Sequence, residues 1–203
     1  MTKLQRLLSF HSATAVFPVV LIAVLLAMHG LGADALPVLR YERSAVLAGE
    51  VWRLVTGHLV HADFAHLGWN VAGLALVAWL FAREFRLRDW VVILAASTAA
   101  VDLGFLLLEP QLARYVGFSG LLHGLAAAGV FVWLVRYRDG ATAIVAAFLA
   151  AKLAWEHVMG PMPFTSQTLA LPTIFEAHTY GALGGLLGAA WLEWRRRPGD
   201  PSL

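Results

Sequence analysis

The chain has 203 residues, of which 60% are hydrophobic and 14% are charged, and its mean hydropathy is +0.70. These values predict a polytopic membrane protein rather than a soluble domain. The net charge is only +2, and the arginines flank apolar segments instead of forming a basic stripe, so we expect no nucleic-acid partner. The absence of cysteine excludes disulfides, thiolate metal sites and a cysteine nucleophile.

Six apolar segments follow one another along the chain. One crossing of a bilayer takes about 20 apolar residues, so the segments predict an all-α bundle of six transmembrane helices in a single domain over residues 1–203. The predicted helices cover residues 13–32, 66–81, 90–108, 116–135, 142–158 and 177–194.

The first segment also fits a second interpretation. A basic start, an apolar run over residues 16–28 and the sequence Ala33-Asp34-Ala35 are typical of a cleavable signal peptide. We favour a retained helix, because the run with its flanks is long enough to span and the remaining helices form an even bundle only if it stays.

Basic residues are concentrated at the chain start, in alternate loops and after the last predicted helix. The opposite loops carry only Arg40, Arg43, Arg53 and Arg114. The positive-inside rule then places both termini in the cytoplasm. The residues on the cytoplasmic side are Lys3, Arg6, Arg83, Arg86, Arg88, Arg136, Arg138, Arg195, Arg196 and Arg197.

Polar residues within the predicted helices fall in the outer half of the bilayer under this topology. Such residues are costly in hydrocarbon unless they face a partner or a cavity, which predicts a water-accessible cavity open to the outside. The residues concerned are His66, Asn70, Asp102, Ser119, Lys152, Glu156 and His178.

Ser119 and His178 have the residue types of a nucleophile and its base. Gly120 and Gly124 form one small-residue face, and Gly181 and Gly185 form another, so their two helices can pack closely. Ser119 near a helix N-terminus would gain backbone donors for an oxyanion.

Two neighbouring features extend this predicted site. Gly117 lets the chain approach the nucleophile without a side chain, and His66 and Asn70, one helical turn apart, could supply further oxyanion donors.

Simpler interpretations compete with each of these. A serine in a membrane helix usually packs or bonds its own backbone, and Trp52 and Arg53 in the long first loop are compatible with an interfacial anchor. Lys152 and Glu156, four residues apart, fit a self-neutralising pair or the lining of a cavity.

Metal binding is the other chemistry that histidine clusters suggest. The spacing of His58, His61 and His66 matches no standard zinc pattern. We therefore expect neither a metal nor another cofactor.

Taken together, these motifs resemble the rhomboid family of intramembrane serine proteases. The resemblance rests on an ordered set that covers nearly the whole chain: Trp52-Arg53, His66-Leu67-Gly68-Trp69-Asn70, Gly117-Phe118-Ser119-Gly120, and Ala177-His178 with Gly181 and Gly185. It implies a catalytic dyad of Ser119 and His178 without an acidic third member. It also implies that His66, Asn70 and the Ser119 amide stabilise the oxyanion.

A finer resemblance is to the rhombosortase subgroup of bacteria. It rests on the small size, on the run from Ser119 to Gly124 with His123 where many rhomboids have tyrosine, and on Lys152-x-x-Trp155-Glu156. Because His123 replaces an aromatic residue that packs on the catalytic histidine, we hypothesise that His123 orients His178 or water.

The subgroup implies substrates with a C-terminal sorting tail, which has a glycine-rich motif, one transmembrane helix and a basic cluster. Such an enzyme would lie in lipid, in the bacterial inner membrane, with its active site toward the periplasm. The alternatives are a rhomboid protease with other transmembrane substrates, an inactive client-binding relative, and a small transporter or metal-handling protein that uses Asp102 and Lys152.

Overall fold

The fold comes from a computed structural model that describes residues 12–162 and 173–196. Predictions about Lys3, Arg6, Arg197 and most of the loop over residues 160–175 lie outside these residues. The elements in chain order are α1 Ser12–Gly30, α2 Leu36–Leu39, β1 Tyr41–Glu42, α3 Arg43–Leu47, α4 Arg53–Thr56, α5 Phe64–Phe81, α6 Leu87–Leu107, β2 Arg114–Tyr115, α7 Ser119–Arg136, α8 Gly140–Met159 and α9 Glu176–Arg195.

The described part of the chain is almost entirely helical. Each of the six predicted segments coincides with a long helix, and every end agrees to within three residues. Within the described ranges, α5, α6, α7 and α8 are long and apolar enough to cross a membrane. This is a multi-pass membrane protein, whereas the exact number of six crossings stays a prediction.

The start of α7 differs from the prediction by three residues, because the helix begins at Ser119 and not at residue 116. The Tyr115 hydroxyl donates to the carbonyl oxygen of Gly117 at 2.7 Å. Gly117 has φ +118°, in the region that favours glycine. These features keep the segment out of the helix and place Ser119 in its first position.

Helices α7 and α9 pack with their backbones in contact. A Cβ on Gly181 would overlap the carbonyl oxygen of Gly120, and a Cβ on Gly185 would overlap that of Gly124. The predicted small-residue faces therefore meet each other, and we call this contact the glycine seam. The seam sets the separation of the helices that carry Ser119 and His178.

A second glycine face of α9 contacts α6. A Cβ on Gly184 would lie 2.5 Å from the carbonyl oxygen of Ala96, and one on Gly188 would lie 3.3 Å from the Cβ of the same residue. Helix α9 is therefore held on two sides by helices that approach it closely.

The first loop is folded rather than extended. Arg53 is buried, and its guanidinium donates to the carbonyl oxygens of Pro37 and Arg40 at 2.8 and 2.9 Å and to Glu50 at 2.7 Å. Trp52 donates its indole N–H to the Val38 carbonyl at 3.3 Å. These contacts tie the loop together, and neither residue lines the cavity at Ser119. That Trp52 and Arg53 serve as an interfacial anchor stays a prediction.

A short antiparallel sheet was not predicted. Strand β1 pairs with β2, with Tyr41 opposite Tyr115. The two strands are only two residues long and lie in loops, so no period-2 pattern could have indicated them. The sheet anchors the segment that leads into Ser119.

One end of the bundle holds a network of ion pairs. Arg136 contacts Glu84 at 3.0 Å and Glu193 at 2.9 Å, and Arg196 contacts Asp89 at 3.1 Å. Arg136 ends α7, Glu84 follows α5, and Asp89 is in the first turn of α6. Glu193 is in the last turn of α9, and Arg196 follows that helix. Two of the arginines used for the topology prediction, Arg136 and Arg196, thus meet acidic partners at this end of the bundle.

Helix α8 lies at the periphery. In its most apolar 18-residue window only 11% of the residues are buried, compared with 56% for α7. The side chains of Ile144, Phe148 and Val158 are more than 70% exposed. Helix α8 therefore has a wide face available to lipid.

Candidate active site

Ser119 is the first residue of α7 and follows the fully buried Phe118. Because Ser119 begins the helix, the first backbone N–H groups of α7 are not used within the helix and can donate hydrogen bonds to a group bound in the site. The His66 ring packs against the backbone of Gly117. A Cβ at that position would lie only 2.5 Å from the Cε1 and Nε2 atoms of His66.

His178 lies in the first turn of α9 and is 3% exposed. Its Nε2 atom is 2.9 Å from the Oγ atom of Ser119. The structure thus brings together the two residues that the sequence paired across 59 positions. A hydroxyl that donates to this nitrogen has the geometry for proton transfer to imidazole.

Glu156 of α8 contacts the other ring nitrogen. A carboxylate oxygen of Glu156 is 2.9 Å from Nδ1 of His178 and 2.6 Å from the Lys152 ammonium. Lys152 itself lies 3.3 Å from Nδ1. The resemblance implied a dyad with no acidic third member, and the structure differs, because an acid is bound to the histidine.

His123 stacks on His178. The ring centroids are 4.1 Å apart and the planes are inclined by 19°. Nδ1 of His123 donates to the carbonyl oxygen of Ser119 at 2.7 Å, since a carbonyl only accepts. The histidine at this position therefore packs on His178, as a tyrosine does in many rhomboids, and also bonds the turn that carries Ser119.

The predicted oxyanion helpers line the same space. Asn70 is buried, and its Nδ2 atom donates to the carbonyl oxygen of His66 at 3.0 Å. Asp63 caps α5 by accepting the His66 backbone N–H at 2.7 Å. Both predicted helpers are thus held at the start of α5, and their part in stabilising an oxyanion stays a prediction.

A cavity of about 210 Å³ joins these side chains. Helices α5, α7, α8 and α9 supply most of its wall, and two residues of the segment between α8 and α9 complete it. The lining residues are His66, Trp69, Asn70, Ser119, Leu122, His123, Phe148, Lys152, Glu156, Met162, Thr173 and His178.

Asp102 is not part of this cavity, although the sequence placed it in the same half of the bilayer. Its carboxylate lies 3.2 Å from Nε2 of His58, and the His58 ring packs on Tyr115. Burial raises the pKa of the Tyr115 phenol well above its usual value. Asp102 therefore belongs to a structural cluster beneath the loop that leads to Ser119.

His61 lies next to the site in the loop before α5. Its ring centroid is 5.0 Å from that of His66. Burial, with smaller contributions from the charges of His66 and His29, lowers the pKa of His61 to about 3. The histidine that borders the predicted oxyanion region is therefore neutral in the native protein at neutral pH.

Three donor groups are close enough to consider a metal ion. The ligand atoms of His123, Glu156 and His178 lie within 4.8 Å of one another. However, the Lys152 ammonium already neighbours the Glu156 carboxylate at 2.6 Å, and a divalent cation beside it would be repelled. The arrangement favours hydrogen bonding over metal ligation.

The family follows from comparison with known proteins. Residues 48–196 match the family model described as the Rhomboid domain. This chain belongs to the rhomboid family. It is also 34% identical over 94 residues to "Putative rhomboid protease YdcA" of Bacillus subtilis (strain 168), a match that covers 46% of this chain and 46% of that relative. The aligned region thus spans about half of each protein, and family membership supports an intramembrane serine protease.

Two features of the site could not be predicted from the sequence. The spacing of Lys152 and Glu156 signalled an ion pair but not its contact with His178, because that contact depends on how α8 packs. Trp69, Phe148, Met162 and Thr173 complete the cavity wall, and no local pattern distinguishes them from other apolar or loop residues.

Proposed function

We propose that the protein is an intramembrane serine endopeptidase in which Ser119 is the nucleophile and His178 the general base and acid. The observation that carries this proposal is the 2.9 Å contact between Oγ of Ser119 and Nε2 of His178. It lies in a cavity walled by α9 and by three helices, α5, α7 and α8, that are long and apolar enough to cross a membrane. Water in such a cavity would meet the requirement of peptide hydrolysis within a bilayer.

The reaction has two halves. Oγ attacks the scissile carbonyl while its proton moves to Nε2, and His178 then gives that proton to the leaving amine. The first backbone N–H of α7, His66 and Asn70 would face the developing oxyanion. The acyl-enzyme then reacts with water, or with an amine if the enzyme transfers its product to a new anchor.

Substrate would enter from the membrane between α5 and α8. Trp69 of α5 and Phe148 of α8 both line the cavity and are 48% and 72% exposed, so the wall between them faces lipid. The peripheral position of α8 supports its movement during entry.

The proposed substrates are secreted proteins with a glycine-rich motif, one transmembrane helix and a basic C-terminal cluster. This finer assignment rests on the rhombosortase-like features, including His123 and the Lys152–Glu156 pair. We further propose six crossings with α1 retained, cytoplasmic termini and a site on the periplasmic side of the bacterial inner membrane. The arginine-rich ends of α7 and α9 support this orientation.

Cleavage in liposomes tests the proposal. Purified wild type, Ser119→Ala and His178→Ala are compared on a substrate with such a tail and on a generic transmembrane substrate. Ser97→Ala is the matched control, because among the described residues that buried hydroxyl donates just to the Ile93 carbonyl within α6, at 2.8 Å. We expect cleavage of the sorting tail by wild type and control but by neither site variant.

The other outcomes are also informative. Cleavage of the generic substrate alone would replace the sorting-tail assignment with ordinary rhomboid proteolysis. No cleavage of either substrate, together with no labelling of Ser119 by a fluorophosphonate, would favour an inactive client-binding protein.

A further inference from the structure

We infer that Glu156 is a positioning residue for His178, so that this protein uses a Ser–His–Glu relay in which Lys152 holds the acid. The inference rests on the proposed function and deepens it. It starts from the two nitrogens of His178, because Nε2 meets Ser119 at 2.9 Å while Nδ1 meets Glu156 at 2.9 Å.

The tautomer of His178 decides whether it can act as a base. To accept the Ser119 proton, Nε2 must be unprotonated, so the ring proton of neutral imidazole must be on Nδ1. The Glu156 carboxylate can only accept a hydrogen bond, and it therefore selects the tautomer with Nδ1–H. It also favours the imidazolium that forms when Nε2 takes the serine proton, while the carboxylate itself stays ionised.

Lys152 makes this selection necessary. Its ammonium is 3.3 Å from Nδ1 and can only donate. Without Glu156, the ammonium could bond an unprotonated Nδ1, and the ring proton would move to Nε2 and face Ser119. With Glu156 present, Lys152 instead donates to the carboxylate at 2.6 Å and compensates its charge in a site where Glu156 is 2% exposed.

The remaining neighbours do not offer Nδ1 another acceptor in the described part of the site. His123 stacks on the ring face and directs its own Nδ1 toward the Ser119 carbonyl, and His66 is a further lining residue of the cavity. The groups that face His178 are thus Ser119 and His123 from α7, Lys152 and Glu156 from α8, and His66 from α5.

Glu156→Ala tests the relay. We expect kcat for cleavage of the membrane substrate to fall at least about 100-fold, with KM changed less than threefold. Adding Lys152→Met to Glu156→Ala removes the donor that traps the wrong tautomer, and it should restore kcat at least tenfold over the single variant. A merely structural role predicts that the double variant is no better than the single one.

His157→Ala is the matched control. His157 is the next residue on α8 and also bonds α9, through Nε2 to the Thr179 hydroxyl at 2.7 Å, without contacting His178. We expect this variant to keep kcat within about twofold. Glu156→Gln, which keeps an acceptor oxygen, should retain more activity than Glu156→Ala.

Nitrogen NMR of ¹⁵N-histidine-labelled protein reads the tautomer without any substrate. In wild type and in Ser119→Ala, Nδ1 of His178 should give the protonated signal, and in Glu156→Ala the protonated signal should move to Nε2. This separates the two proposals, since a protein that cleaves nothing but shows the switch would refute the proposed function alone. Wild-type kcat in Glu156→Ala, or an Nε2–H tautomer in wild type, would overturn the relay.

Discussion

Helices α7 and α8 both contact His178 or its helix, but they are held in opposite ways. Helix α7 meets α9 through the glycine seam, backbone against backbone, whereas α8 reaches α9 through the polar side chains of Glu156, Lys152 and His157. The distance from Ser119 to His178 is therefore set by close packing, whereas in the proposed relay the orientation of the His178 ring depends on a peripheral helix.

Under the proposed function, this difference would let the protein combine a fixed reaction geometry with access for a substrate from the bilayer. A helix that is bound mainly by a few hydrogen bonds can move at lower cost than one whose backbone is in contact with its neighbour. If α8 moves outward, Glu156 moves with it, so entry and activation of His178 would be coupled.

Widening the seam should have the largest effect. Gly181→Val would place a branched side chain against the backbone of Gly120, where even a Cβ overlaps. We expect loss of cleavage and a stability decrease of roughly 3 kcal/mol or more, because neither backbone can yield. Thermal unfolding in detergent and the liposome assay measure the two effects.

The control for this substitution is Gly68→Ala, since a Cβ on Gly68 of α5 meets nothing within 4 Å. It should change neither property appreciably. A fully active, equally stable Gly181→Val protein would show that the seam does not set the geometry.

Fixing α8 in place is the next test. Cysteines introduced at Trp69 and Phe148 would be joined by a thiol-specific crosslinker with a reducible disulfide, because the chain has no cysteine of its own. We expect the joined protein to stop cleaving the membrane substrate and to recover on reduction, so that one sample serves as its own control. Undiminished cleavage by the joined protein would refute entry between α5 and α8.

Lowering the pH should decrease the free energy of unfolding without acting on the glycine seam, because glycine side chains do not titrate. The pKa of His61 is about 3 in the native protein and near 6.5 in the unfolded chain. Between these values the unfolded state binds more protons, so stability falls as pH decreases below about 6.5, by about 2 kcal/mol at pH 5.

His61→Gln removes the contribution of His61 to the pH dependence of stability. The variant's melting temperature should decline less between pH 7 and pH 5 than that of wild type, measured in the same detergent. Parallel declines for the two proteins would mean that His61 does not carry the acid sensitivity.

Loosening the far end of α8 should have the smallest effect. Asp139 caps the helix by accepting the Thr142 N–H at 2.7 Å, and its replacement by alanine should cost about 1 kcal/mol. Because Glu156 lies at the other end, we expect kcat per folded molecule to stay within about twofold. A loss as large as that of Glu156→Ala would contradict the view that α8 acts only through its end at His178.

Local sequence determined most of the architecture. Runs of apolar residues located the long helices, because crossing lipid requires every backbone group to bond within its own segment. The sequence also located Ser119 and His178. A histidine within an apolar run is costly to place in lipid, and glycines flank the serine on both sides of its motif. The small-residue faces of Gly120 with Gly124 and of Gly181 with Gly185 predicted close packing of their two helices, because small residues let helix backbones approach each other.

Tertiary structure alone decided three other matters. The strand of Tyr41 pairs with that of Tyr115, Asp102 turns toward His58 and away from the cavity, and Glu156 reaches Nδ1 of His178. Each depends on how two distant elements are rotated and offset against each other. Periodicity along the chain reports which face of a helix is polar, but the partner of that face is set by packing among several helices at once.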